Sequence, residues 1–259
     1  MYKPFSGSYH SKKKKISYWH KKFPNLYFWP NLLAILLRGN SLAKKGQYNK
    51  SEWVNTSIET IRLLEKLGVS FNIENIRVLE DLKQPCVFVS NHMSALDAFI
   101  FPSIIQPFVD LTFVSKISLA KSPLFKHIIM SRDPILVDRK NPREDFRYIL
   151  AEGKKRLSKG ISVLVFPQAA RTKKFNIKQF NSIGVKLARH ANVPIIPIAL
   201  CTNVWESGKI LKDIGKIKPN RPVYVSFGDP ITVYGKSHDV QASIIDFILG
   251  KLNSWGVGT

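Results

Sequence analysis

Cysteine is scarce in this chain: there are two in 259 residues. Cys86 and Cys201 each lie beside an apolar, strand-like run, with no spacing pattern between them. That argues against a disulfide framework or a thiolate metal site and predicts two small buried residues in a reducing compartment. Long hydrophobic runs are also missing. A spanning helix needs ~20 mostly apolar residues, whereas the leucine-rich run near the N-terminus covers only residues 32–37. Pro24 and Pro30 break the apolar zone around it, and no small-residue cleavage site follows, so a cleaved signal is not expected. Negative charge is in deficit, with 18 Asp and Glu against 40 Lys and Arg, a formal charge of +22. Such a field favours anionic partners: nucleic acid, an acidic membrane surface or phosphorylated substrates. No nucleic-acid-binding motif is present, so no nucleic acid partner is expected. No cluster of metal-ligand residues surrounds any histidine, and no metal is expected.

A 44% hydrophobic content is enough for a real core, and the length suits one α/β domain with a small appendage. The appendage is residues 1–50. There Lys12-Lys13-Lys14-Lys15 precedes Tyr18, Trp19, Phe23, Tyr27, Phe28 and Trp29. Lysines beside an anionic leaflet are worth about 1 kcal/mol each, and rings with polar edges favour headgroup depth. This segment is expected to associate with a membrane, peripherally or monotopically at the cytoplasmic face. The alternative is a solvated tail leading to a helix packed on the domain.

Residues 51–259 alternate between strand and helix patterns. Thr56-x-x-Glu59 has capping-box form, and Ile58, Ile61, Leu64 and Leu67 make a helical stripe closed by Gly68. Ile76–Leu79 is a short strand candidate. Pro85 opens the strand Cys86–Ser90, and the helix Ala95–Ile105 follows, bent or interrupted at Pro102. Leu111–Ser115 and Ile135–Asp138 read as strands, with Leu124–Met130 a short helix between them. Asn141 caps a helix with Pro142 in its first position, ending at Gly160. Ile161–Phe166 and Val193–Leu200 are continuous apolar runs, as expected of strands covered on both faces. Phe180–Ala191 reads as a helix, Val223–Phe227 as a strand, and residues 239–252 as the last helix. The fold class is α/β: a mixed, mainly parallel central sheet flanked by helices.

Two motifs carry chemistry. In Asn91-His92-Met93-Ser94-Ala95-Leu96-Asp97, a histidine and a carboxylate five residues later follow a buried strand. Histidine takes a proton from a hydroxyl near neutral pH when its other ring nitrogen is held, and an aspartate can hold it. Ser94-x-x-Asp97 also fits a capping box, a purely structural role that is compatible with the first. Phe166-Pro167-Gln168-Ala169-Ala170-Arg171-Thr172, then Lys173 and Lys174, puts cations in another post-strand loop. Arginine's planar fork suits phosphate oxygens; the plain alternative is a solvated basic loop.

Together these residues resemble the glycerophospholipid acyltransferases. The family's N-H-x-S-x-x-D block is matched by Asn91, His92, Ser94 and Asp97, and its middle block looks like Ile135-Leu136-Val137-Asp138-Arg139. Its third block, F-P-E-G-T-R, is similar to Phe166–Arg171, and its fourth resembles Val193-Pro194-Ile195-Ile196-Pro197. Lys116 is placed like a lysine of the family's phosphate pocket. The resemblance covers about residues 55–230. It implies that His92 and Asp97 are catalytic, and that Lys116, Arg139, Gln168 and Arg171 bind the substrate phosphate. It also implies an acyl-CoA or acyl-carrier-protein co-substrate, no bound cofactor and a lysophospholipid acceptor. The expected reaction is acylation of 1-acyl-glycerol 3-phosphate to phosphatidic acid. Three departures fall in the third block: Gln168 for glutamate, Ala169 for glycine and Ala170 for threonine. They leave open another lysolipid, glycerol 3-phosphate, or a weakened lipid-binding homologue. A serine nucleophile at Ser94 is the minor alternative, since the G-x-S-x-G elbow is absent.

Overall fold

A computed structural model describes residues 4–12, 15–168, 170–208 and 211–257. Lys13, Lys14 and Ala169 therefore lie outside the described residues. The chain begins with strand β1 (Tyr9–His10), then helices α1 (Tyr18–Lys22), α2 (Pro24–Lys44) and α3 (Lys50–Lys66). Next come β2 (Phe71–Glu74), α4 (Arg77–Glu80), β3 (Val87–Ser90), α5 (Leu96–Ile105) and β4 (Leu111–Lys116). Two short helices, α6 (Ile117–Ala120) and α7 (Lys126–Met130), lead to β5 (Ile135–Val137), α8 (Pro142–Leu157) and β6 (Ser162–Val165). The chain closes with α9 (Ile183–Ala191), β7 (Ile195–Cys201), β8 (Val223–Phe227) and α10 (Ser237–Ser254).

Among the described residues the strands form one eight-stranded sheet in the order β1-β2-β8-β7-β3-β6-β4-β5. The five from β7 to β5 run parallel. The pair β2 and β8 runs against them, with β8 antiparallel to β7. Helices α2, α3 and α5 stack together, as do α8, α9 and α10, covering the sheet in two layers. The mixed, mainly parallel architecture agrees with the sequence. Strands β3, β6 and β7 are buried at every position, as their unbroken apolar runs require. Helix α9 lies so close to β3 that a Cβ on Gly184 would come within 2.5 Å of Val89. A side chain there would push α9 off β3, the strand that leads to His92.

Helix α2 runs through Pro30. An interior proline costs about 3 kcal/mol, whereas each large apolar side chain fully buried contributes about 1.5–3 kcal/mol. Phe28, Leu32 and Leu36 are all buried, so packing outweighs the proline. Phe28 and Trp29 also meet Trp205 edge-on, at 5.2 Å between ring centroids in each case. The segment before residue 51 thus shares the domain's core, to which Phe5 and Tyr48 also belong. Its opposite face is apolar and uncovered, with Tyr18, Trp19, Phe23, Leu26, Leu33 and Leu37 exposed. No helix among the described residues is long and apolar enough to cross a membrane.

Two local expectations are corrected. Thr56 caps nothing: α3 starts earlier, at Lys50, and the Asn49 side chain accepts from the Glu52 amide at 3.0 Å. That is the same spacing, one helical segment upstream. Ile76–Leu79 is not a strand. Asn75 takes a left-handed φ of +59°, which ends β2, and Arg77–Glu80 winds into one helical turn. The true strand, Phe71-Asn72-Ile73-Glu74, alternates buried with half-buried side chains. Asn141 does cap α8, accepting from the amides of Arg143 and Glu144, with Pro142 in the first turn. Helix α5 passes through Pro102 without interruption. Cys86 and Cys201 are both free and buried, and burial pushes the Cys86 thiol up to about 12.

Candidate active site

The parallel strands deliver every predicted site residue to one edge of the sheet. His92 follows β3, Gln168 and Arg171 follow β6, Lys116 ends β4, and Arg139 follows β5. These strands are adjacent in the order β3-β6-β4-β5. At ~4.8 Å per strand spacing, His92 and Arg139 leave the sheet about 14 Å apart laterally. The carboxyl edge of an open parallel sheet is where such folds hold ligands.

The dyad is formed. His92 Nδ1 lies 2.7 Å from Asp97 Oδ2, with the Asp97 side chain fully buried and the His92 side chain 21% exposed. The same Oδ2 accepts from the backbone amides of Met93, at 2.7 Å, and Ser94, at 3.1 Å. A carboxylate oxygen already taken by two N–H donors leaves Nδ1 only the donor role, so in the neutral ring Nε2 is the nitrogen without a proton. Asp97 therefore bonds the turn's backbone and holds the imidazole at once, so its capping role is compatible with orienting the ring. The ring is fixed from its face by Phe166, stacked at 4.1 Å and 21°.

One residue to which no sequence motif pointed completes the support. Thr202, buried just past β7, donates its hydroxyl to Asp97 Oδ1. Ser94 in turn donates to Thr202 Oγ1 at 2.9 Å and accepts from the Leu96 amide at 3.1 Å. Ser94 is thus buried and engaged on the carboxylate side of the dyad, away from Nε2. This arrangement does not suit a nucleophile. No spacing signal ties Thr202 to Asp97, since the two meet only through the pairing of β7 with β3. Asn91 reinforces that meeting by exchanging two 2.9 Å hydrogen bonds with the Leu200 backbone.

Gln168 sits directly behind the histidine. Its Oε1 accepts from the His92 amide at 2.7 Å, and its Nε2 donates to Thr172 Oγ1 at 2.6 Å. The Thr172 amide returns a bond to the His92 carbonyl at 3.0 Å. An amide with both a donor and an acceptor satisfies both neighbours, so glutamine pins the third block to the first. Its position is that of a loop anchor, buried and fully bonded.

The cations are arranged more loosely. Arg171 pairs with Asp213 at 2.5 Å, an acidic residue that no sequence motif connects with it. Lys116 is exposed at the end of β4. Arg139 is exposed and adopts a left-handed φ of +62°, uncommon outside glycine. Its amide donates to Asp145 Oδ2 at 2.9 Å. The structure brings His92, Asp97 and Gln168 together through hydrogen bonds and puts Lys116, Arg139 and Arg171 on the same edge of the sheet, at the ends of β4, β5 and β6. No group of three or more metal-ligating side chains occurs among the described residues.

The His92–Asp97 pair thus lies at the carboxyl edge of a mainly parallel sheet that also carries Lys116, Arg139 and Arg171, an arrangement chemically suited to moving a proton beside a bound anion. The profile of the family described as Acyltransferase matches residues 70–201, and the chain belongs to that family. Among individual proteins, it is 32% identical over 125 residues to the 1-acyl-sn-glycerol-3-phosphate acyltransferase of Pseudomonas aeruginosa, covering 48% of each chain. It is 33% identical over 154 residues to the probable 1-acyl-sn-glycerol-3-phosphate acyltransferase of Mycoplasma genitalium, covering 56% of each. The matched stretch spans about half the length of these curated relatives. The crystal structure of the 1-acyl-sn-glycerophosphate acyltransferase PlsC from Thermotoga maritima shares the fold. Its TM-score is 0.65 at 16% identity, over 93% of this chain and 98% of that one.

Proposed function

We propose that the protein transfers a fatty acyl group from a thioester to the free hydroxyl of 1-acyl-glycerol 3-phosphate, giving phosphatidic acid. The observation that carries this reading is the His92–Asp97 bond, which leaves Nε2 as an acceptor facing outward from a partly exposed ring. The acceptor hydroxyl donates its proton to Nε2 as its oxygen attacks the thioester carbonyl. The C–S bond then breaks, and the imidazolium returns the proton to the departing thiolate. Asp97 stabilises the imidazolium throughout. No covalent enzyme intermediate is needed, because a thiolate leaves readily. The acceptor phosphate is held by Arg171, Lys116 and Arg139, and fixing it orients the hydroxyl. Because Arg171 already holds Asp213, phosphate binding exchanges one anion for another. The names of the relatives support the acceptor assignment.

The uncovered apolar face of α1 and α2, bordered by Lys21 and Lys22, supports docking onto an anionic membrane surface, which is where a lysolipid is found. We place the protein at the cytoplasmic face of that membrane. The test offers purified protein a panel of lysolipids and glycerol 3-phosphate with acyl-CoA and acyl-carrier-protein donors, and identifies products by mass. Acylation of lysophosphatidic acid above the other acceptors is expected. Absence of any thioester-dependent product would reduce the protein to a lipid-binding homologue.

A further inference from the structure

The link between β7 and β8 doubles back on itself beside the site. Trp205 pairs with Ile217 in an antiparallel bridge, and the Glu206 amide donates to the Lys216 carbonyl at 3.0 Å. The Lys218 amide donates to the Val204 carbonyl at 2.8 Å. Glycines allow the close approach: a Cβ on Gly208 or Gly215 would collide with the facing backbone. Residues 211–214 make a turn, closed by the Ile214 amide on the Leu211 carbonyl at 2.9 Å.

That turn has two kinds of side chain. Its Asp213 carboxylate holds Arg171, the arginine assigned above to the acceptor phosphate. Leu211 and Ile214, close by on either side, are 60% and 52% exposed, with Lys212 and Lys216 also exposed. The turn is tied to α2 as well. The Asp213 carbonyl accepts from Trp205 Nε1 at 3.0 Å, and the Trp205 ring packs on Phe28 and Trp29. The Ile217 amide donates to the Asn25 side-chain oxygen at 2.9 Å, one residue before the exposed Leu26. The acidic residue on the phosphate clamp is thus anchored to the helix whose outer face is apolar and uncovered.

We infer that Leu211 and Ile214 form a second membrane-contact surface, and that their insertion into an anionic bilayer draws Asp213 off Arg171. Away from the membrane Asp213 closes the clamp; at the membrane the clamp opens where the lysolipid is found. The inference rests on the docking and clamp readings above and adds their regulation. A bilayer shifts this equilibrium only by binding the open turn better than the closed one. It does so because taking two large apolar side chains out of water outweighs one partly exposed ion pair. Lys212 and Lys216 meet the anionic headgroups.

Two measurements on the full-length protein test this, the first without turnover. A polarity-sensitive fluorophore is attached at Leu211→Cys, selectively because Cys86 and Cys201 are buried. Vesicles of phosphatidylglycerol and phosphatidylcholine should sediment with the protein and shift the emission to the blue. Second, the KM for lysophosphatidic acid is measured with and without those vesicles. Asp213→Asn should lower the vesicle-free KM by about two- to fivefold and shrink the vesicle effect by the same factor. Partitioning of the acceptor into lipid is common to both proteins and cancels in that comparison. Leu211→Ser/Ile214→Ser, which changes exposed side chains only, should keep the vesicle-free KM and the sedimentation, and lose that factor from the vesicle effect. Failure to sediment would remove the docking reading and this inference with it. Sedimentation without a blue shift, or an equal vesicle effect in all three proteins, would overturn this inference alone. A blue shift produced by raising protein concentration without vesicles would assign the turn to a second copy of the chain and overturn the bilayer assignment. A vesicle-induced shift in a protein that transfers no acyl group would sink the enzymatic reading and leave the contact surface standing.

Discussion

The two halves of the site are built to different standards. Around His92, each polar side chain of the first block has a partner: Asp97 accepts from two amides, a hydroxyl and the imidazole, and Gln168 and Thr202 are buried behind them. Around the cations, Lys116 and Arg139 are exposed at the ends of separate strands, and Arg171 is occupied by Asp213. Proton transfer needs sub-ångström placement of a light particle and is served by a pre-formed network. Phosphate binding tolerates longer, flexible arms, because charge acts over distance. On the proposed mechanism the base half is thus set before substrate arrives, and the anion half is completed by it.

The contrast can be broken most severely at the base. His92→Ala should lower kcat by about 10²–10⁴-fold, the usual contribution of a positioned general base. The fold should be intact, because the ring is partly exposed; turnover near wild type would remove His92 from the mechanism. Next in size is Thr202→Val, which keeps the shape and deletes the hydroxyl donated to Asp97. A fall of about tenfold in kcat, equal to roughly 1.4 kcal/mol, is expected with KM unchanged and with rescue by Thr202→Ser. If Val and Ser variants behaved alike, the Thr202 hydroxyl would be only structural.

The anion half should respond in KM instead. Arg171→Lys loses the planar fork and should raise the acceptor KM several-fold with little change in kcat. Asp213→Asn should act in the opposite direction, because it frees Arg171 from its competing carboxylate. A partly exposed pair is worth about 0.2–1 kcal/mol, so the acceptor KM should fall by no more than about fivefold. A rise in KM for Asp213→Asn would mean that the pair positions Arg171 and does not compete with substrate.

The sequence made the two halves unequally legible. The strand-end placement of His92, Gln168, Lys116 and Arg139 was readable because buried parallel strands have continuous apolar runs and because the Asn141-Pro142 cap fixes where β5 ends and α8 begins. The His92–Asp97 pair was readable because both residues belong to one turn. Thr202 and Asp213 were not, since each meets its partner only through tertiary packing, 105 residues from Asp97 in the first case. The Ile76–Leu79 strand failed for a local reason: four residues with three apolar ones fit a helical turn as well as a strand, and the left-handed Asn75 decided between them. The N-terminal segment gave a mixed signal because α2 is apolar on two sides, one facing the core and one facing out.

The central claim is that Asp97 fixes the His92 tautomer, and nitrogen-15 NMR of the histidine side chains reports it directly. With the ring neutral, Nδ1 should carry the proton and Nε2 should be bare and pyridine-like, with the pattern altered in Asp97→Asn. A neutral ring carrying its proton on Nε2 would contradict it.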